Sequence, residues 1–128
     1  MAAVTHLDTH VVVWLYAGDL RRFSPAVRRR LDREELRISP MAALELQYLH
    51  EVGRISENAS VVLADLARTL GLGQAEGDFS SVAATALGLG WTRDPFDRLI
   101  VAHAALHGVT LLTKDRTIRR NYRHAVWD

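Results

Sequence analysis

Between Asp94 and Gly108 the chain carries a helix with almost no polar face, and that feature narrows the folds open to it. Asp94 followed by Pro95 has the signature of an N-cap with proline at the first helical position. Asp97 falls at the third helical position, where a carboxylate suits the helix dipole and can bond back to the cap. Behind it, Leu99-Ile100-Val101-Ala102 and Ala104-Ala105-Leu106 leave a surface that is apolar almost all round, so this helix is expected to be buried. Two carboxylates opening a buried helix, with Arg93 and Arg98 beside them, are either an elaborate cap or part of a metal site.

The flanks of this helix point to a parallel sheet. Gly108 ends it, and Val109-Thr110-Leu111-Leu112 follows as a near-continuous apolar run, the pattern of a strand covered on both faces. That run stops at Thr113-Lys114-Asp115. Near the start, Ala2-Ala3-Val4-Thr5-His6-Leu7 reads as a short buried strand ending at Asp8, with Thr9 as the N-cap of a helix over residues 10–16. Ser24-Pro25 opens a helix with an arginine face, Leu36-Arg37-Ile38 is a short strand, and Ser39-Pro40 starts a helix running to about Val52. An amphipathic helix over residues 60–70 ends at Gly71, a loop spans 73–78, and another helix spans 79–89. A short basic helix over 117–122 and an edge strand, Ala125-Val126-Trp127, complete the reading. Strands alternating with helices give the α/β class: three layers, α/β/α, around a central, mostly parallel sheet of about five strands. At 128 residues this is one domain spanning 1–128.

Composition excludes several functions. There is no cysteine, which removes disulfides and thiolate metal sites and suits a reducing cytoplasm. No basic segment followed by a long apolar run opens the chain, so no signal peptide is expected. No apolar run reaches the ~20 residues that span a bilayer, so no membrane partner is expected. Net charge is only +1, yet residues 113–128 hold five basic residues (Lys114, Arg116, Arg119, Arg120, Arg123) against two acidic ones.

The acidic residues fall where a ligand site would form. Asp8 and Asp115 each follow a strand; Glu45 and Asp97 lie in the first or second turn of a helix leaving the sheet's carboxyl edge. In open α/β sheets that edge binds ligands. Glu45 either shares a polar stripe with Gln47 and Glu51 or faces a cation. Its face is otherwise apolar, with Leu49 and Val52, which favours the cation. Four carboxylates in one cleft repel one another unless a cation balances them. Hard oxygen ligands without cysteine favour Mg²⁺ or Mn²⁺, and such a site suits phosphodiester hydrolysis.

This arrangement resembles the PIN-domain ribonucleases, and within them the VapC-type toxins of bacterial toxin–antitoxin pairs. The residues that carry the resemblance are Leu7-Asp8-Thr9-His10 with Trp14, Glu45 within Ser39-Pro40-Met41-Ala42-Ala43-Leu44-Glu45-Leu46, Asp94-Pro95-Phe96-Asp97-Arg98-Leu99-Ile100, and Leu112-Thr113-Lys114-Asp115. It implies a PIN-like form of the fold above and a metal-dependent endoribonuclease. Asp8, Glu45, Asp97 and Asp115 match the family's acidic metal site, with Thr113 at a supporting hydroxyl position and Asp94 as a further carboxylate or simply a cap. The resemblance also implies an RNA substrate, a homodimer and a cognate antitoxin that blocks the site.

Other readings have less support. His103 and His107 are spaced like two zinc ligands, but Ala104 stands where H-E-x-x-H needs glutamate and no third ligand is evident, so they read as structural. An aspartyl phosphotransferase would need a second aspartate where His10 stands. No Gly-rich phosphate loop is present. Trp14, Trp91 and Trp127 read as core or interface anchors. A non-catalytic PIN-like module that binds protein or RNA is the alternative function.

Overall fold

The strand that opens the chain is also the middle of the sheet. The computed structural model describes residues 2–128. In it β1 (Val4–Leu7) pairs in parallel with β2 (Glu35–Ile38) on one side and β4 (Thr110–Leu112) on the other. Outside these lie β3 (Gly73–Gln74) and β5 (Ala125–Val126), giving the order β3-β2-β1-β4-β5 with every pairing parallel. The expected sheet was mostly parallel; this one is wholly so. Progress along the sheet reverses after β3, when the chain returns past β1 to add β4. Right-handed crossovers, the rule for parallel strands, therefore send the first connections over one face and the later ones over the other. The reversal leaves a crevice beyond the carboxyl ends of β1 and β4, the switch point of an open α/β sheet.

Among the described residues seven α-helices connect the strands. They are α1 (Thr9–Ala17), α2 (Pro25–Arg33), α3 (Pro40–Glu51), α4 (Ala59–Leu70), α5 (Phe79–Ala86), α6 (Pro95–His107) and α7 (Arg116–Asn121). The cap-plus-proline signals at Ser24, Ser39 and Asp94 each mark a real helix start, with the side-chain oxygen accepting a backbone N–H of the first turn. Ile100 through Ala104 of α6 are buried, as its composition requires. Trp14 and Trp127 pack edge to face at one corner, Phe23 lies tilted against both, and Arg22 lies 4.6 Å above the Trp14 ring.

The structure corrects the sequence reading at three places. Thr9 is not the cap of α1: its N–H donates to Asp8 Oδ1 at 2.8 Å, so Asp8 caps and Thr9 is the first helical residue. The expected loop at 73–78 begins with β3, whose two residues are too few to show a period. Gly73 lets the Arg37 guanidinium lie close across it; a Cβ there would stand 3.2 Å from it, and the arginine would have to shift slightly. The α5 helix stops at Ala86 rather than 89, and the carbonyls of Ala86 and Leu87 accept from Arg98 instead of continuing the ladder.

Candidate active site

The crevice at the switch point is lined by carboxylates. Asp8 follows directly from β1, its N–H bonded to the Leu112 carbonyl, so the last rung of the β1–β4 ladder fixes its backbone. Its side chain is 6% exposed. One oxygen accepts from Thr9 N–H; the other accepts from the Thr113 hydroxyl at 2.6 Å. That hydroxyl, fully buried, also accepts from Asp115 N–H at 3.1 Å. Thr113 thus joins the ends of β1 and β4 and sets the turn presenting Asp115. Asp115 in turn caps α7, accepting from Ile118 N–H at 3.0 Å.

Glu45 and Asp97 enter from the helices. Glu45 is half-buried in the second turn of α3, and Asp97 half-buried in the first turn of α6. Asp94 caps α6, accepting from Phe96 N–H at 2.9 Å and Asp97 N–H at 3.2 Å. The local fold accounts fully for Asp94, and its charge still reaches the crevice.

Electrostatics show that these groups share one site. Burial first, then the charges of Asp8, Asp94, Glu45 and Asp115, push the Asp97 carboxyl up to about 7. Burial and the charges of Asp8 and Asp94 raise Glu45, partly offset by Thr9 and His10. Burial is also the largest influence raising Asp8; the bonds from Thr113 and Thr9 and the charge of His10 oppose it, and Asp115 adds to it. The charges of Asp8, Glu45 and Asp115 thus all act on Asp97. The two arginines beside Asp97 do not neutralise them. Arg93 donates to the Gly90 carbonyl, and Arg98 to the carbonyls of Ala86, Leu87 and Thr92. Among the described residues no ion pair includes a crevice carboxylate.

This donor set suits a hard cation. It is all oxygen, it carries excess negative charge, and the one half-buried carboxyl raised to about 7 would give up its proton to a bound cation. As they stand, no three His, Cys, Asp or Glu side chains among the described residues are close enough together to hold an ion. The cluster is open.

Two neighbours of the site carried no signal that singled them out. Thr9 Oγ1 is buried and closes no hydrogen bond of normal geometry, yet lies near enough to Glu45 to favour its charged form. His10, exposed on the first turn of α1, is close enough that positive charge on its ring favours ionised Asp8 and Glu45. The sequence Asp8-Thr9-His10 places both, but spacing alone does not separate them from the body of a helix.

A second titratable cluster lies on the same two elements. The ring of His6 on β1 stands 5.5 Å from that of His103 and 6.4 Å from that of His107, both on α6. His103, 2% exposed, bonds Ser39 Oγ at 3.0 Å through Nδ1 and donates from Nε2 to the Glu76 carbonyl at 2.7 Å. His107 Nε2 donates to the same carbonyl at 2.6 Å. These histidines pin the loop after β3 and the cap of α3, in keeping with a structural reading. A third imidazole does accompany them, from a strand nearly a hundred residues away in sequence.

A family model described as "PIN domain" matches residues 6–123 of this chain. The chain belongs to the PIN-domain family. This PIN domain is 37% identical over 126 residues to ribonuclease VapC22 of Mycobacterium tuberculosis, covering 92% of this chain and 91% of that protein. Solved structures share the fold. One is a VapBC2 complex from Rickettsia felis bound to a promoter DNA fragment, with TM-score 0.68, 18% identity and coverage of 98% of this chain and 97% of that one. Another is a toxin–antitoxin complex from Klebsiella pneumoniae, with TM-score 0.59, 15% identity and 96% coverage of each chain.

Proposed function

We propose that this PIN domain, one domain across residues 1–128, is a metal-dependent endoribonuclease of the VapC toxin type, acting in the cytoplasm. Asp8, Glu45, Asp97 and Asp115 would hold Mg²⁺ or Mn²⁺. The observation that carries this reading is the clasp at the ends of β1 and β4, where the Thr113 hydroxyl donates to Asp8 and accepts from the Asp115 N–H, with no ion pair among the described residues on any of the four carboxylates. Similarity to a ribonuclease over nine-tenths of both chains supports the substrate class. A bound divalent ion supplies charge stabilisation at the phosphoryl oxygens and activation of water for hydrolysis.

The protein's own part is positioning. The Thr113 hydroxyl holds one Asp8 oxygen and the Asp115 backbone, and Asp94 fixes the first turn of α6, so three of the four carboxylates approach from anchored chain. Each Asp8 oxygen accepts one hydrogen bond from the protein and keeps a lone pair for a ligand. Burial of Asp8 and half-burial of Glu45 and Asp97 keep the crevice of low polarity, where electrostatic stabilisation is strongest.

The solved complexes that share the fold support a cognate antitoxin as partner. For a homodimer the support is apolar surface: Leu44 and Tyr48 of α3 and Val52 at its end, with Phe79 (70% exposed) and Leu87 (80% exposed) on and after α5. Among the described residues no helix is long and apolar enough to cross a membrane.

The deciding experiment is cleavage of total cellular RNA by the purified protein with Mg²⁺, with Mn²⁺ and with EDTA, beside Asp97→Asn. Discrete metal-dependent fragments absent from the variant are expected. Intact RNA that is nevertheless retained by the protein would favour the binding-module alternative.

A further inference from the structure

An acidic crevice repels the polyanion it is meant to cut, so the substrate needs cationic surface beside it. The charge in residues 113–128 now has a place. Asp115 belongs to the crevice and caps α7, so the basic residues on either side of it, Lys114 and Arg116, flank a site carboxylate. Along α7, Arg116, Arg119 and Arg120 fall at i, i+3 and i+4, one face of the helix, while Ile118 is buried against the protein. Arg123 continues the run beyond Tyr122. Lys114, Arg116, Arg120 and Arg123 are exposed, and among the described residues no ion pair engages any of them. Arg119 is half-buried and donates to the Lys114 carbonyl at 3.1 Å, so it braces the turn that carries Lys114 and Asp115.

The other arginine-rich helix differs in position and in use. Arg28 of α2 is tied to the carbonyls of Leu20 and Phe23, and Arg30 to Glu34. The end of α2 leads into β2, whose first residue bonds the Ala3 carbonyl ahead of β1. That is the amino edge of a parallel sheet, opposite the carboxylates. Arg29 and Arg33 are exposed there, equal in charge to the α7 residues but remote from the crevice.

We propose that Lys114 and the arginine face of α7 form the track that holds the RNA backbone as the scissile phosphate enters the crevice. This rests on the ribonuclease reading above. Arg116 and Arg120 are positioning residues that contact phosphates on one side of the cut. Successive turns of the helix, ~5.4 Å apart, offer one guanidinium per turn to successive phosphates. Recognition of this kind reads the backbone and tolerates any base.

The test compares two double variants of equal charge change: Arg116→Gln/Arg120→Gln on α7 and Arg29→Gln/Arg33→Gln on α2. Binding of a mixed-sequence single-stranded RNA oligonucleotide is measured in an Asp97→Asn background with Mg²⁺ over a salt series. Cleavage of the same RNA is measured in the otherwise unaltered chain. The α7 pair is expected to make the log-affinity slope against log salt shallower by about 0.7 per lost phosphate contact. KM should rise with kcat little changed, and Arg116→Lys/Arg120→Lys should restore most of the binding. The α2 pair should bind and cleave as its parent does. Equal losses from both pairs, or an α7 pair that binds and cleaves normally, would overturn the track. So would an α7 pair that keeps RNA but loses the antitoxin protein, which would give this face to that partner. A parent chain that cleaves while the α7 variant is unaffected sinks the track and leaves the nuclease standing. A parent that binds RNA through α7 without cutting it sinks the nuclease and leaves the track.

Discussion

Strand β1 and helix α6 build two clusters of titratable groups, and the clusters are opposites. At their carboxyl-edge ends, Asp8 and Asp97 join Glu45 and Asp115 in a crevice where, among the described residues, no ion pair engages any of the gathered carboxylates. Farther along, His6, His103 and His107 also crowd together. There, His103 and His107 have hydrogen-bond partners, and burial, then the neighbouring histidines and Arg37, push His6 down to about 4. His103 and His107 follow what a folded chain does with polar groups it must bury, although His6 Nδ1 is buried without a hydrogen-bond partner. The acidic cluster gathers like charges at a cost in stability; capping accounts for Asp8 and Asp115, but no cap or ion pair accounts for the half-buried Glu45 beside them, which is the mark of a site kept for a ligand.

That contrast can be broken most directly at Asp97. Asp97→Asn should lower cleavage by at least about 10²-fold, the scale of losing one electrostatic stabiliser, with the fold intact by circular dichroism. Undiminished cleavage would remove the acidic crevice from the chemistry. At the histidine cluster the expectation is reversed. His103→Ala removes the imidazole bridge between Ser39 Oγ and the Glu76 carbonyl, which keeps only its bond from His107, and leaves a void, so unfolding in urea should show a loss of roughly 2–4 kcal/mol. Any loss of cleavage should then follow the unfolded fraction. A His103→Ala protein as stable as its parent would mean that the cluster is not structural.

Thr113 sharpens the comparison, because it is a satisfied buried group inside the unsatisfied site. Thr113→Val should weaken metal affinity by about 10–100-fold in calorimetric titration, whereas Thr113→Ser should retain it. The smallest effect is on metal-free stability. Asp97 is raised from its ordinary value to about 7, so between these values the native state binds the proton more than the unfolded chain does. Its ionisation is therefore destabilising above pH 7 and harmless below about 4. His6 acts the other way: with its value lowered to about 4, stability is lost as pH falls from 6.5 toward 4. In EDTA, Asp97→Asn should raise Tm above pH 7, by roughly 4–8 °C per kcal/mol of repulsion relieved in a domain near this size. The advantage should shrink toward pH 4. An advantage that does not change with pH would show that charge repulsion is not its source.

Much of this was legible in the sequence for identifiable reasons. The four acids could be found because parallel topology brings strand ends and helix starts to one edge whatever the strand order. Asp94-Pro95 and Ser39-Pro40 located two of those starts to the residue. The cap of α1 was misassigned because Asp8 and Thr9 are both good cap residues and adjacent; only the N–H of Thr9 pointing at Asp8 separates them. The companion of His103 and His107 was invisible, since His6 meets them only after β1 is placed under α6. Likewise β3 is defined by its pairing with β2 and by the Arg37 side chain over Gly73, not by any pattern of its own.

The placement of β1 has a consequence for the order in which the molecule is made. One flank of this central strand pairs with β2, but the other waits for residues 110–112. While the ribosome is still working, a nascent chain can already hold Asp8, Glu45 and Asp97, yet it lacks Thr113 to clasp Asp8 and Asp115 to close the crevice. The cluster is therefore assembled late in synthesis. A half-made copy lacks both the clasp and the last carboxylate of the candidate site, because they lie in the final sixteen residues of the sequence.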